Sequence, residues 1–488
     1  MQKYRQILLV GLVSCASAAY AMPSISNASA SPRQNGDVRV RYTLGAEPAV
    51  VTFALRDRMS GVELDASRYN VASGAVNRLV QPGMAKFIFT NQTGADPANI
   101  DVRLRAWPTN CPPDYLVIDL IQPERGARYY TCADAIPGGI TDVRYKTDYL
   151  VLRRIPAAGV KWRMGSPSPE VGSAAYRASE RTHLVELTED YYCGVYPTTY
   201  RQTYWLNGKS YTVPQLAPQF NVLNWGWDWP QTDIQYCSYR SWFHEPKCTY
   251  LSGLEEVGKS KYADDTVYKS WPKDGHDIDA AKTPKCTACM SGTYTPVLTT
   301  FRANYGFLFD FLTDAQWEFA CRGGATNGGH AICDGSDLAD TAADANLSKY
   351  GWYADETYGT LVTKTNTIVC RLPQTVGCKL PNGYGLYDMH GLVWELVLDC
   401  WDWEGSSNSG SVMIDPKGAT YANTRDIQRI QRGGAFCTAA CHLRCARRES
   451  FATVYLLNDR SESAVKDEFG MYARSRGYRF WLPCHAVR

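Results

Sequence analysis

Two cysteines near the C-terminal end of the chain, Cys437 and Cys441, are separated by three residues. A pair of thiolates at this spacing can hold a soft metal ion, and thiolate ligands select Cu(I) over harder cations. The same proximity allows the two thiols to oxidise to a disulfide, which removes both ligands. The spacing therefore leaves two interpretations open, a copper-binding redox pair or cysteines with a structural role.

A second candidate site offers oxygen ligands. Asp388 and Glu395 lie seven residues apart in a glycine-rich stretch, with Gly391 and Val393 between them. A looped backbone can direct both carboxylates and the intervening carbonyl groups at one cation, and calcium prefers such an oxygen set. The alternative is that both carboxylates only accept hydrogen bonds from backbone amides of the turn.

Histidine adds little metal chemistry. The seven histidines are scattered, and no two are four residues apart, as the ligands on a zinc protease helix would be. His390 and His442 lie beside the two candidate sites. Both are interpreted as structural hydrogen-bonding residues.

The elements that must position these sites carry several motifs. The oxygen site lies in the segment Asn382-Gly-Tyr-Gly-Leu-Tyr-Asp-Met-His-Gly-Leu-Val-Trp-Glu395. The flanking motifs are Trp162–Ser166, His183–Tyr192, Tyr196–Thr199, Leu312–Gly324, Arg432–Gly434, Arg444–Arg447 and Gly477–Arg479. Their residues and order resemble the formylglycine-generating enzyme (sulfatase-modifying factor) family, over about residues 150 to 484.

This resemblance implies an activity. In that family the counterparts of Cys437 and Cys441 bind copper and recruit a cysteine of a client protein, a sulfatase. Dioxygen then converts the client cysteine to formylglycine. The resemblance therefore implies a copper-dependent oxidoreductase in which Cys437 and Cys441 are the catalytic residues.

The resemblance also implies a calcium site. Its ligands would be the carboxylates of Asp388 and Glu395 together with the carbonyl oxygens of Gly391 and Val393. One residue departs from the family pattern, because Leu392 stands where the family usually has Asn. The side-chain amide of that Asn is therefore missing from the local hydrogen bonding.

A disulfide between Cys321 and Cys445 is a further implication of the resemblance. Such a bridge closes a loop of more than a hundred residues, which in the loop-entropy account stabilises the fold by roughly 4 to 5 kcal/mol. The loop that carries the redox pair is shorter than in active family members, by three residues between Gly434 and Cys445. Shortening of this size changes where its side chains point.

The expected architecture is α+β. Alternating apolar residues in the N-terminal part predict half-buried strands separated by turns, as in a β-sandwich of the immunoglobulin or fibronectin type. The resemblance implies a C-type-lectin-like mixed α/β domain with little regular secondary structure. The expected segments are a signal peptide (1–21), the β-sandwich (22–110), a linker hairpin (111–148) and the family domain (149–488), with an insertion at about 203–305.

The N-terminal residues predict export. Lys3 and Arg5 precede an apolar run from Ile7 to Val13 and a small-residue site at Ala19-Tyr-Ala21, as in a secretory signal peptide. An alternative reading is a lipoprotein signal, in which Cys15 carries a lipid anchor. Without Cys15, sixteen of the seventeen cysteines remain, and disulfides are expected in a periplasmic, cell-surface or extracellular protein.

Composition and alternatives limit the functional hypotheses. A net charge of +2 and the lack of a Lys/Arg run argue against a nucleic-acid partner, and no stretch beyond the signal is long and apolar enough for a transmembrane span.

The first functional hypothesis is the oxidase acting on a sulfatase. The alternative is a non-catalytic module that binds a glycan or protein through Trp225, Trp227 and Trp229, and a third is a structural member of an extracellular layer.

Overall fold

The computed structural model describes residues 23–166, 180–206, 226–231, 297–307, 309–326, 330–340, 342–354, 358–362, 367–371, 373–400, 411–416, 428–452, 464–466, 472–474, 476–477, 479 and 481–484. The predicted signal peptide, the lipid site at Cys15 and most of the predicted insertion lie outside these residues. Within them, no helix has the length and apolar character needed to cross a membrane.

The N-terminal module consists of two antiparallel sheets around one apolar core. The alternation of apolar residues predicted from Val38 to Leu44 is confirmed, because Val38, Val40, Tyr42 and Leu44 are all buried. The sheets have the strand orders β1-β2-β6-β4 and β5-β3-β7. The strands are β1 (Ile25–Pro32), β2 (Val38–Leu44), β3 (Ala49–Asp57), β4 (Tyr69–Gly74), β5 (Arg78–Val80), β6 (Gly83–Asn91) and β7 (Ile100–Pro108). The immunoglobulin or fibronectin type stays a prediction.

The expected linker hairpin is present but belongs to the central sheet of the C-terminal domain. Its strands pair antiparallel, and the first of them also pairs with the strand that begins at Tyr149. The sheet has the order β25-β13-β10-β8-β9, formed by β8 (Tyr115–Asp119), β9 (Ala127–Tyr130), β10 (Tyr149–Ile155), β13 (Tyr191–Gly194) and β25 (Trp481–Pro483). Apolar residues on both faces of β8 explain the difference, since a free linker would expose them.

Among the residues that the structure describes, helices are few and short. They are α1 (Arg144–Thr147), α2 (Tyr200–Leu206), α3 (Val297–Tyr305) and α4 (Asp314–Cys321). Helix α4 begins after Thr313, whose side chain accepts from the amide of Gln316, while the Gln316 side chain accepts from the Thr313 amide. This reciprocal cap fixes the start of a helix that is buried along its whole length.

The remaining strands are short, in agreement with the little regular structure expected. Besides two hairpins and a short parallel pair, they form a sheet of order β21-β20-β18-β24 and one of order β11-β12-β19. Their bounds are β11 (Val160–Met164), β12 (His183–Leu187), β14 (Gly351–Trp352), β15 (Tyr358–Val362), β16 (Thr367–Arg371), β17 (His390–Gly391), β18 (Trp394–Cys400), β19 (Met413–Ile414), β20 (Gln428–Arg432), β21 (Glu449–Ala452), β22 (Ala464–Lys466), β23 (Tyr472–Arg474) and β24 (Arg476–Gly477).

An apolar core holds α4 against these strands. Trp317 and Phe319 of α4 pack with Trp162 of β11, and the rings of Trp162 and Phe319 meet edge to face at 5.3 Å. The same core includes Cys321 and Cys445. The core therefore brings residues from distant parts of the chain to the C-terminal end of α4.

Candidate functional site

The segment with the predicted calcium ligands is hydrogen-bonded to the C-terminal end of α4. The Asn382 amide donates to the carbonyl oxygens of Ala320 at 2.7 Å and Cys321 at 3.1 Å. Its side-chain oxygen accepts from the backbone amides of Tyr384 and Leu386. A buried amide with both ends bonded sets the path of the chain that follows.

Asp388 is a predicted calcium ligand whose side chain has an oxygen without a hydrogen-bond partner among the described residues. Its backbone has a φ of 56°, and its Oδ2 accepts from the Gly377 amide at 2.6 Å. Its Oδ1 is buried, and no hydrogen-bond partner for it exists in the described part of the chain. Burial raises the pKa of Asp388 to about 6. A buried carboxylate with an unpaired oxygen suits a cation.

Glu395 is paired with an arginine, which the sequence did not predict. Arg479 donates to both of its oxygens, with the Nη2 to Oε1 distance at 2.9 Å, and Trp317 Nε1 donates to Oε2 at 2.7 Å. The carbonyl of Gly391 accepts from the Val393 amide at 2.8 Å. The residues therefore fit calcium at Asp388, whereas Glu395 is already neutralised by an arginine. The full set of four ligands stays a prediction.

The loop with the cysteine pair is attached to the same segment. The Gly391 amide donates to the Gly433 carbonyl at 2.7 Å, and the Phe436 amide donates to the Leu392 carbonyl at 3.0 Å. Cys437 is 6% exposed and packs in an apolar cluster that includes Phe436. Cys441 lies in the short 3₁₀ turn Ala440–Leu443 and is partly exposed. The two cysteines thus have different surroundings, one apolar and one polar.

Cys441 is activated by its neighbour. The hydrogen bond from His442 lowers the pKa of Cys441, with further lowering by the charges of Arg447 and Arg444. Burial by itself lowers the pKa of His442, but hydrogen bonds to Cys441 and Glu449 raise it above its usual value. His442 Nδ1 lies 3.5 Å from Glu449 Oε1. The structure therefore places a thiol with a lowered pKa beside an imidazole with a raised pKa, a pairing that the sequence interpretation of His442 missed.

A testable consequence concerns alkylation of the metal-free protein. Because a lowered pKa means that the thiolate forms at lower pH, we expect Cys441 to react with iodoacetamide at a lower pH than an ordinary cysteine. His442→Gln should move the reaction of Cys441 to higher pH. The measurement is the alkylation rate against pH, by peptide mass spectrometry.

Cys378 is the internal control for this experiment. Cys378 is exposed as a residue, but partial burial of its sulfur raises its pKa. It should therefore react only at higher pH, and the His442→Gln substitution should not affect its rate. An unchanged Cys441 profile in His442→Gln would show that the imidazole does not activate the thiol.

The predicted disulfide partners lie next to each other, without a bond. The Cys321 thiol donates to the Cys445 sulfur at 3.6 Å, whereas a disulfide requires about 2.05 Å. That hydrogen bond lowers the pKa of Cys445 well below its usual value. His390 Nε2 lies 4.0 Å from the Cys321 sulfur and accepts from the Cys333 amide at 3.1 Å. The structure brings the pair together, and the bond itself stays a prediction.

Comparison with known proteins identifies the family. The family model of the sulfatase-modifying factor enzyme 1-like domain matches residues 170–457, more than half of the chain. The chain belongs to the sulfatase-modifying factor family. The match contains α4, the 382–395 segment and the loop with Cys437 and Cys441, so the recognition from sequence motifs is confirmed.

The sequence of this chain is similar to those of two relatives over part of their length. The chain is 32% identical over 143 residues to the formylglycine-generating enzyme of Bos taurus, covering 28% of this chain and 33% of that protein. It is 31% identical over 133 residues to the formylglycine-generating enzyme of Thermomonospora curvata, covering 27% of this chain and 38% of that protein. The chain therefore spans little more than a third of the length of these relatives.

Two solved structures are similar at lower identity. Treponema denticola variable protein 1 is 16% identical, with a TM-score of 0.38, and the match covers 69% of this chain and 95% of that one. PvdO from Pseudomonas aeruginosa is also 16% identical, with a TM-score of 0.39 and coverages of 68% and 94%.

In this sulfatase-modifying factor family member, buried arginines fix both ends of the cysteine loop. At one end Arg432 pairs with Asp314 and with Glu318, whose Oε2 accepts at 3.0 Å. At the other end Arg444 donates to both oxygens of Glu180, at 2.7 and 2.9 Å. A bidentate pair of this kind fixes geometry as well as charge. The loop is therefore held in a defined position relative to α4.

Proposed function

We propose that this protein is an exported, copper-dependent oxidase that converts a cysteine of a client protein, a sulfatase, to formylglycine. The observation that carries the proposal is the pairing of Cys441 with His442 on a loop that also holds Cys437 and is anchored at both ends. The names of its relatives support the same reaction.

The chemistry requires a defined electron balance. Conversion of the thiol-bearing carbon of the client cysteine to an aldehyde breaks the carbon–sulfur bond, releases the sulfur as hydrogen sulfide and removes two electrons. Dioxygen takes up four electrons, so the other two come from an external thiol reductant, which becomes a disulfide. One oxygen atom ends in the aldehyde and the other in water.

The residues fit copper in chemical type. Cys441, whose pKa is lowered by its hydrogen bond with His442, would be one thiolate ligand, and Cys437 would contribute a second sulfur from an apolar setting. Two thiolates are the ligands that Cu(I) prefers. Copper would supply the one-electron chemistry through which dioxygen reacts. The protein's own part is to hold the sulfurs, orient the client and keep the thiolate charged.

The direct test is aldehyde formation. Protein loaded with Cu(I) is incubated in air with a thiol reductant and a sulfatase peptide that contains the client cysteine, and an aldehyde-specific probe is read by mass spectrometry. We expect product with the unaltered protein and none above background with Cys441→Ser or Cys437→Ser. Cys132→Ser, at an exposed thiol that follows β9, is the matched control and should retain activity. Folded, copper-loaded protein without product would overturn the proposal.

One observation supports the alternative function of binding. Trp227 is 40% exposed and is held in place by Tyr204, at 5.7 Å between ring centroids, and by Arg201, at 5.0 Å from its ring. A preorganised exposed ring can stack on a sugar. Trp225, by contrast, lies outside the described residues. Loss of a glycan-array signal in Trp227→Ala would favour a binding module.

Calcium forms a second part of the proposal, with Asp388 as its central ligand. We expect calcium to raise the thermal unfolding midpoint of the protein, because a ligand at 100 times its Kd stabilises by about 2.7 kcal/mol. Asp388→Asn should abolish this rise, since Asn tolerates the same φ but carries no charge. The measurement is thermal unfolding in calcium and in EDTA.

The matched control for the calcium test is Asp101→Asn. Asp101 pairs with Arg103 at the surface of the N-terminal module, so its loss should leave the calcium response intact. An equal calcium response in Asp388→Asn and the unaltered protein would exclude Asp388 as a ligand.

A further inference from the structure

A cavity of about 120 Å³ lies where the N-terminal module meets the central sheet of the C-terminal domain. Its lining includes Phe53 of β3 and Tyr69 of β4 on the side of the module, and Arg128 and Tyr130 of β9 on the side of the sheet. Pockets for small ligands are frequent at such junctions. The cavity lies outside the cysteine loop, so the proposed oxidase chemistry does not use it.

The local fold fixes both walls of this cavity. Alternation along β9 places Tyr129 in the apolar core and its neighbours Arg128 and Tyr130 on the opposite face of the strand. The Tyr129 amide donates to the Asn77 carbonyl at 2.8 Å, and the Asn77 amide donates to the Val51 carbonyl at 2.6 Å. Asn77 thus joins β9 to β3, and its φ of 54° lies in the left-handed region that Asn tolerates.

The cavity carries one positive charge. Of the described residues that line it, only Arg128 is charged. Arg128 is partly buried and forms no ion pair with a carboxylate in the described part of the chain, and its Nη1 donates to the Val76 carbonyl at a long 3.4 Å. Burial lowers the pKa of Arg128, and the charges of Arg78 and Arg125 lower it further. A partly buried guanidinium beside two other cations is stabilised by an anion.

Aromatic and neutral polar groups complete the lining. The rings of Phe53 and Tyr69, with centroids 5.2 Å apart, supply an apolar surface. Burial raises the pKa of Tyr130 to about 12, so its hydroxyl stays protonated at neutral pH and can donate a hydrogen bond. Asn77 adds a side-chain amide with a donor and an acceptor. An anion bound to Arg128 therefore has further polar partners and an apolar surface beside it.

The single guanidinium sets the charge and shape of the ligand. Two parallel N–H groups of an arginine match the two oxygens of a carboxylate. One cation balances one negative charge, so a carboxylate fits better than a phosphate ester, whose charge at neutral pH is about −1.5 to −2. Asn70 and Thr131 are exposed and also line the cavity, so it opens to solvent and the rest of a ligand can extend outward.

We propose that this cavity binds the carboxylate of a small cyclic acid, with Arg128 as its charge partner and with Phe53 and Tyr69 in contact with the ring. The ligand would bridge the N-terminal module and β9, which gives the module a binding role. The ring can belong to a sugar acid or to an aromatic acid, because both carry the same carboxylate. Binding here is independent of whether the cysteine loop oxidises a client.

The experiment titrates the full-length protein with glucuronate and with benzoate and follows binding by saturation-transfer NMR, which detects weak ligands. Neutral glucose is the control ligand. We expect saturable binding of at least one acid and none of glucose, and the acid that binds more tightly identifies the kind of ring. Arg128→Gln should weaken binding about tenfold or more, because it removes a charge-assisted pair. Arg103→Gln, at a side chain that is 64% exposed, should bind like the unaltered protein.

A second variant covers the case in which Arg128→Gln does not fold. Asn77→Asp keeps the size of the side chain, and Asp also tolerates the left-handed φ of this position. The new carboxylate would compete with the ligand for Arg128, so binding should again fall about tenfold or more. The proposal is overturned if neither acid binds, if glucose binds as tightly as the acids, or if folded Arg128→Gln or Asn77→Asp keeps the original affinity.

Discussion

Replacement of Arg432 by Met is expected to lower the free energy of unfolding by about 3 to 5 kcal/mol, because it breaks buried ion pairs with two carboxylates, each of which keeps only one other arginine. The Arg432 side chain is 0% exposed. It pairs with Asp314 and Glu318, and its Nη1 donates at 3.1 Å to the carbonyl oxygens of Cys445 and Arg447. Methionine keeps most of the volume, so the expected loss is mainly electrostatic.

The pH dependence of this variant follows from the same contacts. Burial raises the pKa of Asp314 and of Glu318, but the arginines beside them lower both below their usual values. A lowered acid pKa contributes stability above the unfolded pKa and loses it as the pH falls through the folded value. Arg432→Met should therefore lose most stability near neutral pH and less in acid, where protonation removes the unpaired charge.

The measurement is urea unfolding followed by tryptophan fluorescence, which reports mainly on the C-terminal domain because thirteen of the fourteen tryptophans follow Trp107. Arg103→Met is the matched control. Its side chain is 64% exposed and pairs with Asp101 at the surface, so the expected loss is below about 1 kcal/mol. A similar small loss in both variants would show that Arg432 does not hold the loop.

Gly391→Ala is expected to have the second large effect. Gly391 has a φ of 86°, a region that costs an L-residue about 1 to 2 kcal/mol. A Cβ there would lie 2.1 Å from the Trp352 carbonyl oxygen and 2.7 Å from Leu443 Cδ2. The Trp352 carbonyl belongs to the backbone of the β14–β17 pair, so it cannot rotate away from the added Cβ. The overlap adds about 1 to 3 kcal/mol to the loss.

Gly139→Ala separates the backbone conformational cost from the cost of steric overlap. Gly139 has a similar φ of 78°, but a Cβ there would have no neighbour within 4 Å, so only the backbone cost applies. Unfolding of both variants is measured in urea. If Gly391→Ala is no less stable than Gly139→Ala, the close approach to Trp352 does not restrict this position.

Local patterns predicted local structure well. The alternation from Val38 to Leu44 forms a strand with one buried face, and the first strand expected near residue 149 is β10. The Thr313 motif starts a capped helix. The family motif also predicted that Cys321 and Cys445 lie together, although 124 residues separate them. These predictions succeeded because periodicity, capping and shared motifs depend on residues near in sequence or on a fold already known.

Side-chain roles in the site were less predictable. Glu395 looked like a calcium ligand, yet Arg479 occupies both of its oxygens. His390 and His442 were predicted to be structural residues. His390, however, lies beside the Cys321 sulfur, and the hydrogen bond from His442 lowers the pKa of Cys441. The clue for His442 was its position next to Cys441. Arg479 belongs to the Gly477–Arg479 motif, but nothing in that motif indicated its pairing with Glu395.

The amino-acid sequence alone therefore determined the family and the strands of the N-terminal module that alternate apolar and polar residues, and it named candidate metal ligands. The tertiary structure decided which of those residues are available, since it pairs Glu395 with an arginine, leaves an Asp388 oxygen unpaired and gathers Cys333 with His390. The physical reason is that the charge and ligand capacity of a buried group depend on its nearest polar neighbours. In this fold those neighbours come from segments far apart in the chain.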